Sequence, residues 1–294
     1  MTEPVVLGDR DVARLLTPSA AVGVLRDALA RHARGELSAP PRARVPLGED
    51  STLVVSAGGA ADAGYGLRCY ETGFDSPDQL TAVWSAATGR LSGMVLGRLL
   101  GELRTGALGA LAIAAVRNGQ CGPLGVLGCG RQAWAQLWAL SALVEPAEVR
   151  AFSRRGAGGF ADRIAESFGW NARGVEDARS AVEGADVVLL ATDSRVPVLE
   201  PDWLEPLGHV STIGPKTSTG HELPVAVYRD RLVYTDSAAQ VAAYPGGCAF
   251  DGVPVELSAL GPVRGRGTAY LSVGLTGTEV LLACHVLAEH GRNP

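Results

Sequence analysis

The amino-acid sequence predicts an α/β protein with a doubly wound parallel sheet and a second, α+β domain. Strand-like and helical patterns alternate from about residue 123 onward, which is typical of parallel βαβ units. Within them, the apolar run 124–127 leads into a Gly-x-Gly-x-x-Ala turn that opens a helical pattern. The first part of the chain instead shows two helical patterns followed by short β-like runs between turns.

A chain of 294 residues is long enough for two domains with separate cores. We assign residues 1–116 and 271–294 to the α+β domain and residues 117–270 to the parallel-sheet domain. Hydrophobic residues make up 47% of the chain and charged residues 19%, a balance that argues against a disordered protein.

Charge and composition argue against several classes of partner. A net charge of −5 gives no electrostatic footprint for nucleic acid or an anionic membrane. No uninterrupted apolar run approaches the ~18 residues of a membrane span, and the N-terminus lacks a basic and then apolar leader, so we expect a cytoplasmic protein. The five cysteines form no Cys-x-x-Cys pair and the five histidines do not cluster, so we predict no metal site.

The N-terminal part begins with helical periodicity over 9–34, interrupted at Thr17-Pro18, where we expect an N-cap and a new helix. An extended segment is predicted at Pro40-Pro41. A helix rich in small residues, typical of close backbone packing, follows from Arg104 to Val116. Arg104 and Thr105 at its start form a natural cradle for a phosphate or carboxylate. Three β-like runs precede this helix, at 52–56, 65–70 and 80–86.

The second part alternates strands and helices. We predict strands at 123–128, 148–153, 186–191, 208–213 and 231–235. We predict helices at 131–143, 158–168 and 176–183. A final amphipathic helix runs from Thr278 to about His290, and we expect it to cross back and pack on the N-terminal domain.

The turn at the centre of the chain predicts a Rossmann-type dinucleotide site. Gly128 permits the tight turn, Gly130 lets the backbone approach a pyrophosphate, and Ala133 lets the helix pack closely on the strand. The helix N-terminus supplies free N–H groups and a partial positive charge for the phosphates.

The end of the second strand predicts which dinucleotide binds. A fold of this type normally presents Asp or Glu there to the adenosine ribose, whereas this chain has Ser153, Arg154 and Arg155. A carboxylate would repel a 2′-phosphate, but a hydroxyl and two guanidinium groups would bind one. We therefore predict NADP(H) rather than NAD(H), the alternative being that both arginines are solvated loop residues.

Several segments together resemble the ornithine cyclodeaminase/mu-crystallin family across nearly the whole chain. The resemblance implies a Rossmann domain beside a split substrate and dimerisation domain, a homodimer, and chemistry on small α-amino or α-imino acids with a nicotinamide cofactor. The segments are Pro-Pro-Arg42, Gly-Leu-Arg68, Arg104-Thr-Gly-Ala, Gly128-Cys-Gly-Arg-Gln-Ala133, Ala191-Thr192 with Pro197, Gly214-Pro-Lys-x5-Glu222-Leu and Ser272-Val-Gly274.

The resemblance also implies roles for individual residues. Arg42 and Arg104 match arginines around the substrate carboxylate, and Arg68 stands where the family usually has a lysine for the carboxylate or imine. An arginine keeps the charge but cannot give up a proton near neutral pH. The implied cofactor positions are Thr105, Gly128, Gly130, Arg131, Gln132 and Ala133 at the phosphates, Ser153, Arg154 and Arg155 at the adenosine end, and Thr192 and Val273 at the nicotinamide side.

Lys216 is the main departure from the family pattern. Ornithine cyclodeaminases have an aspartate at this position, and a lysine would repel the ammonium group of ornithine. We therefore predict a reductase of cyclic ketimines or α-imino acids, with Lys216 and Arg68 as the catalytic candidates. Glu279 and Glu102 are other possible acid or base groups, and Lys216 could instead face solvent or pair with Glu222.

Three other functions stay open on the same scaffold. One is a cyclodeaminase that makes a cyclic amino acid from ornithine or lysine. Another is an amino acid dehydrogenase, or a biosynthetic dehydrogenase that condenses an amine with a keto acid. The third is a non-catalytic NADPH-dependent ligand-binding protein, because both usual proton-transfer residues are replaced, by Arg68 and Lys216.

Overall fold

The computed structural model describes residues 3–48, 51–74, 76, 78–117 and 119–292. Backbone contacts divide the chain into a first unit, Met1–Arg104 with Gly274–Pro294, and a second unit, Thr105–Val273. The boundary expected from the sequence, between residues 116 and 117, falls at the end of a helix that the observed division cuts near its start.

Eight α-helices form within the described residues. They are α1 Asp9–Leu15, α2 Pro18–Ala33, α3 Leu99–Arg117, α4 Arg131–Leu140, α5 Gly158–Phe168, α6 Ala178–Val182, α7 Ala238–Ala242 and α8 Thr278–Arg292. The same ranges contain sixteen β-strands. They are β1 Val5–Leu7, β2 Ala43–Pro46, β3 Thr52–Ala60, β4 Gly64–Glu71, β5 Leu80–Trp84, β6 Leu91–Leu96, β7 Cys121–Leu127, β8 Pro146–Phe152, β9 Ala172–Gly174, β10 Val187–Leu190, β11 His209–Thr212, β12 Lys216–Thr217, β13 Gly220–His221, β14 Leu232–Thr235, β15 Val255–Glu256 and β16 Thr268–Leu271.

The first unit is a six-stranded sheet in the order β1-β6-β5-β4-β3-β2, antiparallel except for the parallel pair β1 and β6. Helix α8 packs on β3 to β6, and α2 packs on α8, which confirms the expected return of the last helix. Thr17 caps α2 as predicted, its hydroxyl accepting a hydrogen bond from the N–H of Ala20. Strand β6 was not predicted. Its Gly93 weakens the β signal, yet a Cβ there would collide with Leu287 of α8, so the glycine permits close packing.

The sheet face opposite α8 is apolar and partly exposed. Val6, Val45, Tyr65 and Leu96 are between 44% and 53% exposed, and strand pairing places them on one face. Tyr65 stacks on Trp84 across β4 and β5. Exposed apolar side chains that share one sheet face commonly mark an interaction surface.

The second unit is an eight-stranded, entirely parallel sheet in the order β15-β14-β16-β11-β10-β7-β8-β9. Its central strands are buried along their whole length, as expected for a parallel sheet. From β7 the chain builds first towards β8 and β9, then returns to place β10 on the other side. This confirms the doubly wound fold and puts its switch point between β7 and β10, where such folds bind ligands.

Helix α3 belongs to both units, with Leu99–Arg104 in the first and the remainder in the second. Its glycines Gly106 and Gly109 face Ala135 and Gln136 of α4 so closely that a Cβ at either would collide. Small residues thus serve backbone packing, as predicted. The helix is long and apolar enough to cross a membrane by length and composition alone, but 67% of its most apolar window is buried within the protein.

Candidate functional site

A buried ion-pair cluster in the first unit joins three separate elements. Arg104 lies on α3, Arg68 on β4, and Glu279 in the first turn of α8. The Glu279 Oε1 atom accepts hydrogen bonds from Arg104 Nη2 at 2.5 Å and from Arg68 Nη1 at 3.3 Å. Glu279 is 1% exposed and Arg104 3% exposed, so water screens this cluster little.

Arg68 is fixed from several sides. Its Nη2 donates to the Oε1 atom of Gln79 at 2.5 Å, and its guanidinium lies 4.3 Å from the ring centroid of Tyr70. A Cβ at Gly101 would collide with the same guanidinium, so a glycine on α3 gives Arg68 its space. The side chain is therefore oriented before any ligand binds.

Arg42 converges on the same cluster. A Cβ at Gly274 would overlap Arg42 Nη2 and crowd Arg104 Nη1, so both guanidinium groups approach this residue. Gly274 has φ +87°, a left-handed conformation that only glycine adopts readily. The structure thus brings together the three arginines that the sequence places around a carboxylate.

The charge state of Glu279 follows from this setting. Burial works to raise the pKa of its carboxyl, but Arg104, Arg68 and Arg42 outweigh burial and hold the pKa at about 2. Burial lowers the pKa of Arg68, and Glu279 opposes that effect. Glu279 is therefore an ionised acceptor at neutral pH and holds no proton to donate. Glu102, the other candidate acid, lies half-buried on α3.

Arg104 retains unused donors. Its Nε and Nη1 atoms are buried and have no hydrogen-bond partner among the residues that the structure describes. A buried donor without a partner is costly. Arg68 and Arg104 also share the single carboxylate of Glu279, which leaves an excess of positive charge. A carboxylate ligand would satisfy both the open donors and the charge.

The second unit contains the glycine turn. Gly128 has φ +95°, and a Cβ on it would collide with the carbonyl of Ala191, at the end of the neighbouring strand β10. Gly130 is the N-cap of α4 and has open space where a Cβ would stand, which leaves room for a phosphate. Ala133 is fully buried. Burial raises the pKa of the Cys129 thiol to about 11, so it stays protonated at neutral pH.

The first two side chains of α4 are Arg131 and Gln132. The Gln132 Oε1 atom is buried and lacks a hydrogen-bond partner within the described ranges, so an acceptor stands open there. Arg131, the first residue of α4, is exposed. Thr105 is half-buried on α3, at the start of the second unit.

The predicted adenosine end follows β8. Leu127 of β7 pairs with Phe152 of β8, so Ser153 follows beside the glycine turn. The Ser153 hydroxyl accepts a hydrogen bond from the N–H of Arg155 at 3.3 Å, and Arg154 and Arg155 are exposed. No carboxylate occupies positions 153–155.

Lys216 neither faces solvent nor pairs with Glu222. It is the only lysine in the chain and is 2% exposed. Its Nζ donates to the carbonyl oxygens of Ile213 at 2.9 Å and Gly214 at 2.6 Å, and it lies 5.7 Å from the ring centroid of Tyr244. Backbone carbonyls therefore orient this ammonium group.

Two buried carboxylates at the strand ends were not singled out as site residues from the sequence. Glu222 accepts hydrogen bonds from Thr192, and Asp236 accepts one from the N–H of Val273 at 3.0 Å and one from the Tyr270 hydroxyl at 3.1 Å. Asp236 directly follows β14, a position that could have indicated it. No group of three potential metal ligands occurs in the part of the chain that the structure describes.

We predict that Glu279→Gln weakens the fold most at neutral pH. Because the folded-state pKa of about 2 lies below the ordinary 4.5, ionised Glu279 stabilises the protein above about pH 4.5 and loses this effect as the pH falls towards 2. Leaving the buried Arg68 and Arg104 without their counter-charge should lower the free energy of unfolding by about 3 kcal/mol at neutral pH. Urea unfolding of both proteins between about pH 3 and 7 measures the difference.

The matched control is Glu183→Gln, which removes an exposed ion pair with Arg179 and should change the free energy of unfolding by less than about 1 kcal/mol. The difference between wild type and Glu279→Gln should shrink towards acid pH. A constant difference over the whole range would contradict the proposed ionisation of Glu279.

Comparison with known proteins finds many similar chains, three of which follow. The iminosuccinate reductase of Paracoccus denitrificans is 27% identical, with 97% of each chain covered. The ketimine reductase mu-crystallin of Macropus fuliginosus is 24% identical over 71% of this chain and 68% of its own. The solved structure of an archaeal alanine dehydrogenase dimer with bound NAD has a TM-score of 0.85 at 23% identity. The match covers 100% of this chain and 98% of that chain.

A sequence model of one family matches residues 2–262, nearly the whole chain. The glycine turn and the positions of Arg42, Arg68 and Arg104 all lie within the matched residues. The chain belongs to the ornithine cyclodeaminase/mu-crystallin family.

Proposed function

We propose that the protein is an NADP(H)-dependent reductase of α-imino acids, including cyclic ketimine carboxylates. The observation that carries this proposal is the convergence of Arg42, Arg68 and Arg104, with two buried Arg104 donors still open. A carboxylate is the ligand that fits them. The iminosuccinate and ketimine reductases among the similar proteins act on substrates of this class.

Each unit has its own proposed role, the first in binding the substrate and the second in binding the cofactor. The first unit holds the substrate carboxylate by charge-assisted hydrogen bonds from the arginines, with Glu279 fixing two of them. The second unit offers features a dinucleotide needs, namely the tight Gly128 turn and the open space at Gly130, at the start of α4. A bound nicotinamide cofactor supplies the hydride. Anchoring the carboxylate fixes the orientation of the imine carbon, an effect that can be large.

Reduction of a C=N bond also needs a proton at nitrogen. Lys216 is our proposed donor, because two carbonyls orient its ammonium group in a buried position. Arg68 does not release a proton near neutral pH, so its proposed role is electrostatic: it holds the carboxylate and the charge beside it. The same residues would serve an amino acid dehydrogenase operating in the reverse direction.

We predict NADPH oxidation with a cyclic ketimine carboxylate, and a loss of kcat/KM of about 10- to 100-fold in Arg104→Lys. Lysine keeps the charge but loses the forked donor geometry. The control Arg179→Lys makes the same change at an exposed ion pair and should match wild type. Steady-state kinetics of the three proteins measures both effects. No oxidation by a wild-type protein that binds NADPH, or equal activity in Arg104→Lys, would contradict the proposal.

NADP(H) preference rests on the end of β8. Ser153, Arg154 and Arg155 offer a hydroxyl and two guanidinium groups where a carboxylate would exclude a 2′-phosphate. Both arginines are exposed and available to a ligand on the protein surface. The preference for NADP(H) over NAD(H) depends only on the 2′-phosphate, because the glycine turn would bind the pyrophosphate of either dinucleotide.

We predict that Arg154→Ala/Arg155→Ala raises the Kd for NADPH by about 10- to 100-fold and changes the Kd for NADH less than about threefold. Titration of both cofactors by fluorescence measures the two constants. Arg173→Ala, an exposed arginine paired with Glu148, is the control and should leave both unchanged. An equal loss for NADPH and NADH would contradict the assignment of the 2′-phosphate to these arginines.

We further propose a homodimer that uses the apolar sheet face of the first unit. Val6, Val45, Tyr65 and Leu96 are exposed apolar side chains on one sheet face that a second copy would cover. The archaeal alanine dehydrogenase of similar fold is described as a dimer.

Light scattering should give twice the chain mass of 30.4 kDa for the wild type and a lower mass for Leu96→Glu, which places a charge on this face. The control is Val253→Glu, at a 92% exposed position in the second unit, which should keep the wild-type mass. A wild-type monomer, or a dimer that Leu96→Glu leaves intact, would contradict this interface.

A further inference from the structure

Glu222 is a fully buried carboxylate with four hydrogen-bond donors around it. Thr192 donates from its N–H at 2.9 Å and from its hydroxyl at 2.8 Å. The Thr212 hydroxyl donates at 2.8 Å and the Gly214 N–H at 2.6 Å. All four donors are neutral, so the Glu222 carboxylate is held by hydrogen bonds and not by a salt bridge. We call this group of four hydrogen bonds the Glu222 hub.

The donors come from the carboxyl ends of two neighbouring strands. Thr192 follows β10, while Thr212 ends β11 and Gly214 follows it. Strand β10 also borders β7, whose glycine turn contacts Ala191 and Thr192. Glu222 therefore ties together the edge of the sheet where a doubly wound fold binds its ligand.

Glu222 and Lys216 hold the same residue from two sides. The N–H of Gly214 donates to Glu222, and its carbonyl accepts from Lys216 Nζ at 2.6 Å. A Cβ at Gly214 would collide with the Thr192 carbonyl and with the Glu222 carboxylate, so the approach requires glycine. The position of Lys216 thus depends on the contact between Gly214 and Glu222.

A carboxylate suits four converging donors better than its neutral analogue does. Its two oxygens offer about four lone-pair sites, whereas a glutamine amide offers one oxygen and turns an N–H₂ group towards two of the donors. Glu222→Gln keeps the size of the side chain but breaks this match. The strand ends would then lose their fixed spacing.

We propose that Glu222 is a positioning residue for the nicotinamide half of the cofactor. This inference rests on the proposed function, because it assumes that a dinucleotide lies along this edge. Adenosine would bind at the β8 side of the switch point and nicotinamide at the β10 and β11 side. Glu222 acts through Thr192 and Gly214, so its loss disturbs the nicotinamide end and leaves the adenosine end intact.

Binding of two probes to the full-length protein tests this directly. NADPH occupies both halves of the crevice, whereas adenosine 2′,5′-bisphosphate occupies only the adenosine half. Glu222→Gln should raise the Kd for NADPH at least about tenfold and that for the bisphosphate less than about twofold. If the wild type prefers NADH, the same comparison uses NADH and ADP.

Two further variants separate positioning from folding. His209→Gln alters a buried hydrogen-bonded residue at the other end of β11, where burial lowers the pKa of His209 to about 3 and keeps it neutral. It should lower the Tm without changing the ratio of the two dissociation constants. Thr212→Val removes one donor from Glu222 and, if Glu222→Gln does not fold, should still raise the Kd for NADPH about threefold without affecting the bisphosphate.

The dissociation constants of the two probes support or overturn the positioning role of Glu222. A selective loss of NADPH affinity supports the inference. Equal weakening of both probes, or no change in either, overturns it while leaving the proposed function intact. A wild-type protein that binds neither dinucleotide nor adenosine probe overturns the proposed function itself, and this inference with it.

Discussion

The buried ion pair of Glu279 with Arg68 and Arg104 is the constraint on which the first unit's site depends. It joins the last helix to strand β4 and to helix α3, elements far apart in sequence. The carboxylate lets two buried guanidinium groups, with the half-buried Arg42 beside them, lie close together where they would otherwise repel one another. Glu279 engages only the Nη2 atom of Arg104, so the buried Nε and Nη1 atoms stay open to a ligand.

Much of the fold could be predicted because hydrophobic patterning is local. The alternation after residue 123 predicted a parallel sheet, and Thr17-Pro18 located the start of α2. Strands β1 and β6 were not predicted. Strand β1 has only three residues, and β6 contains Gly93, which is explained only by its close packing on Leu287. Short strands such as β15 carry too few residues for any period to appear.

The site was predictable where a motif marks it and unpredictable where tertiary contacts create it. The glycine turn and the three arginines could be read from the sequence, and the structure brings the arginines together. Glu279 was recognised only as a possible acid, because its ionisation depends on arginines up to 237 positions away in the chain, counting from Arg42 to Glu279. The hub at Glu222 depends on two strand ends meeting, which no local pattern reveals.

The fate of the transferred hydride tests the proposed reaction most directly. NADPH labelled with deuterium at C4, prepared separately for each face of the nicotinamide, would be incubated with the enzyme and a cyclic ketimine carboxylate. Mass spectrometry and proton NMR would then locate the label in the product. An imine reductase should transfer one deuterium, from one face of the cofactor, to the carbon that bears the carboxylate. A product without deuterium at that carbon would contradict the assignment of this protein as an imine reductase.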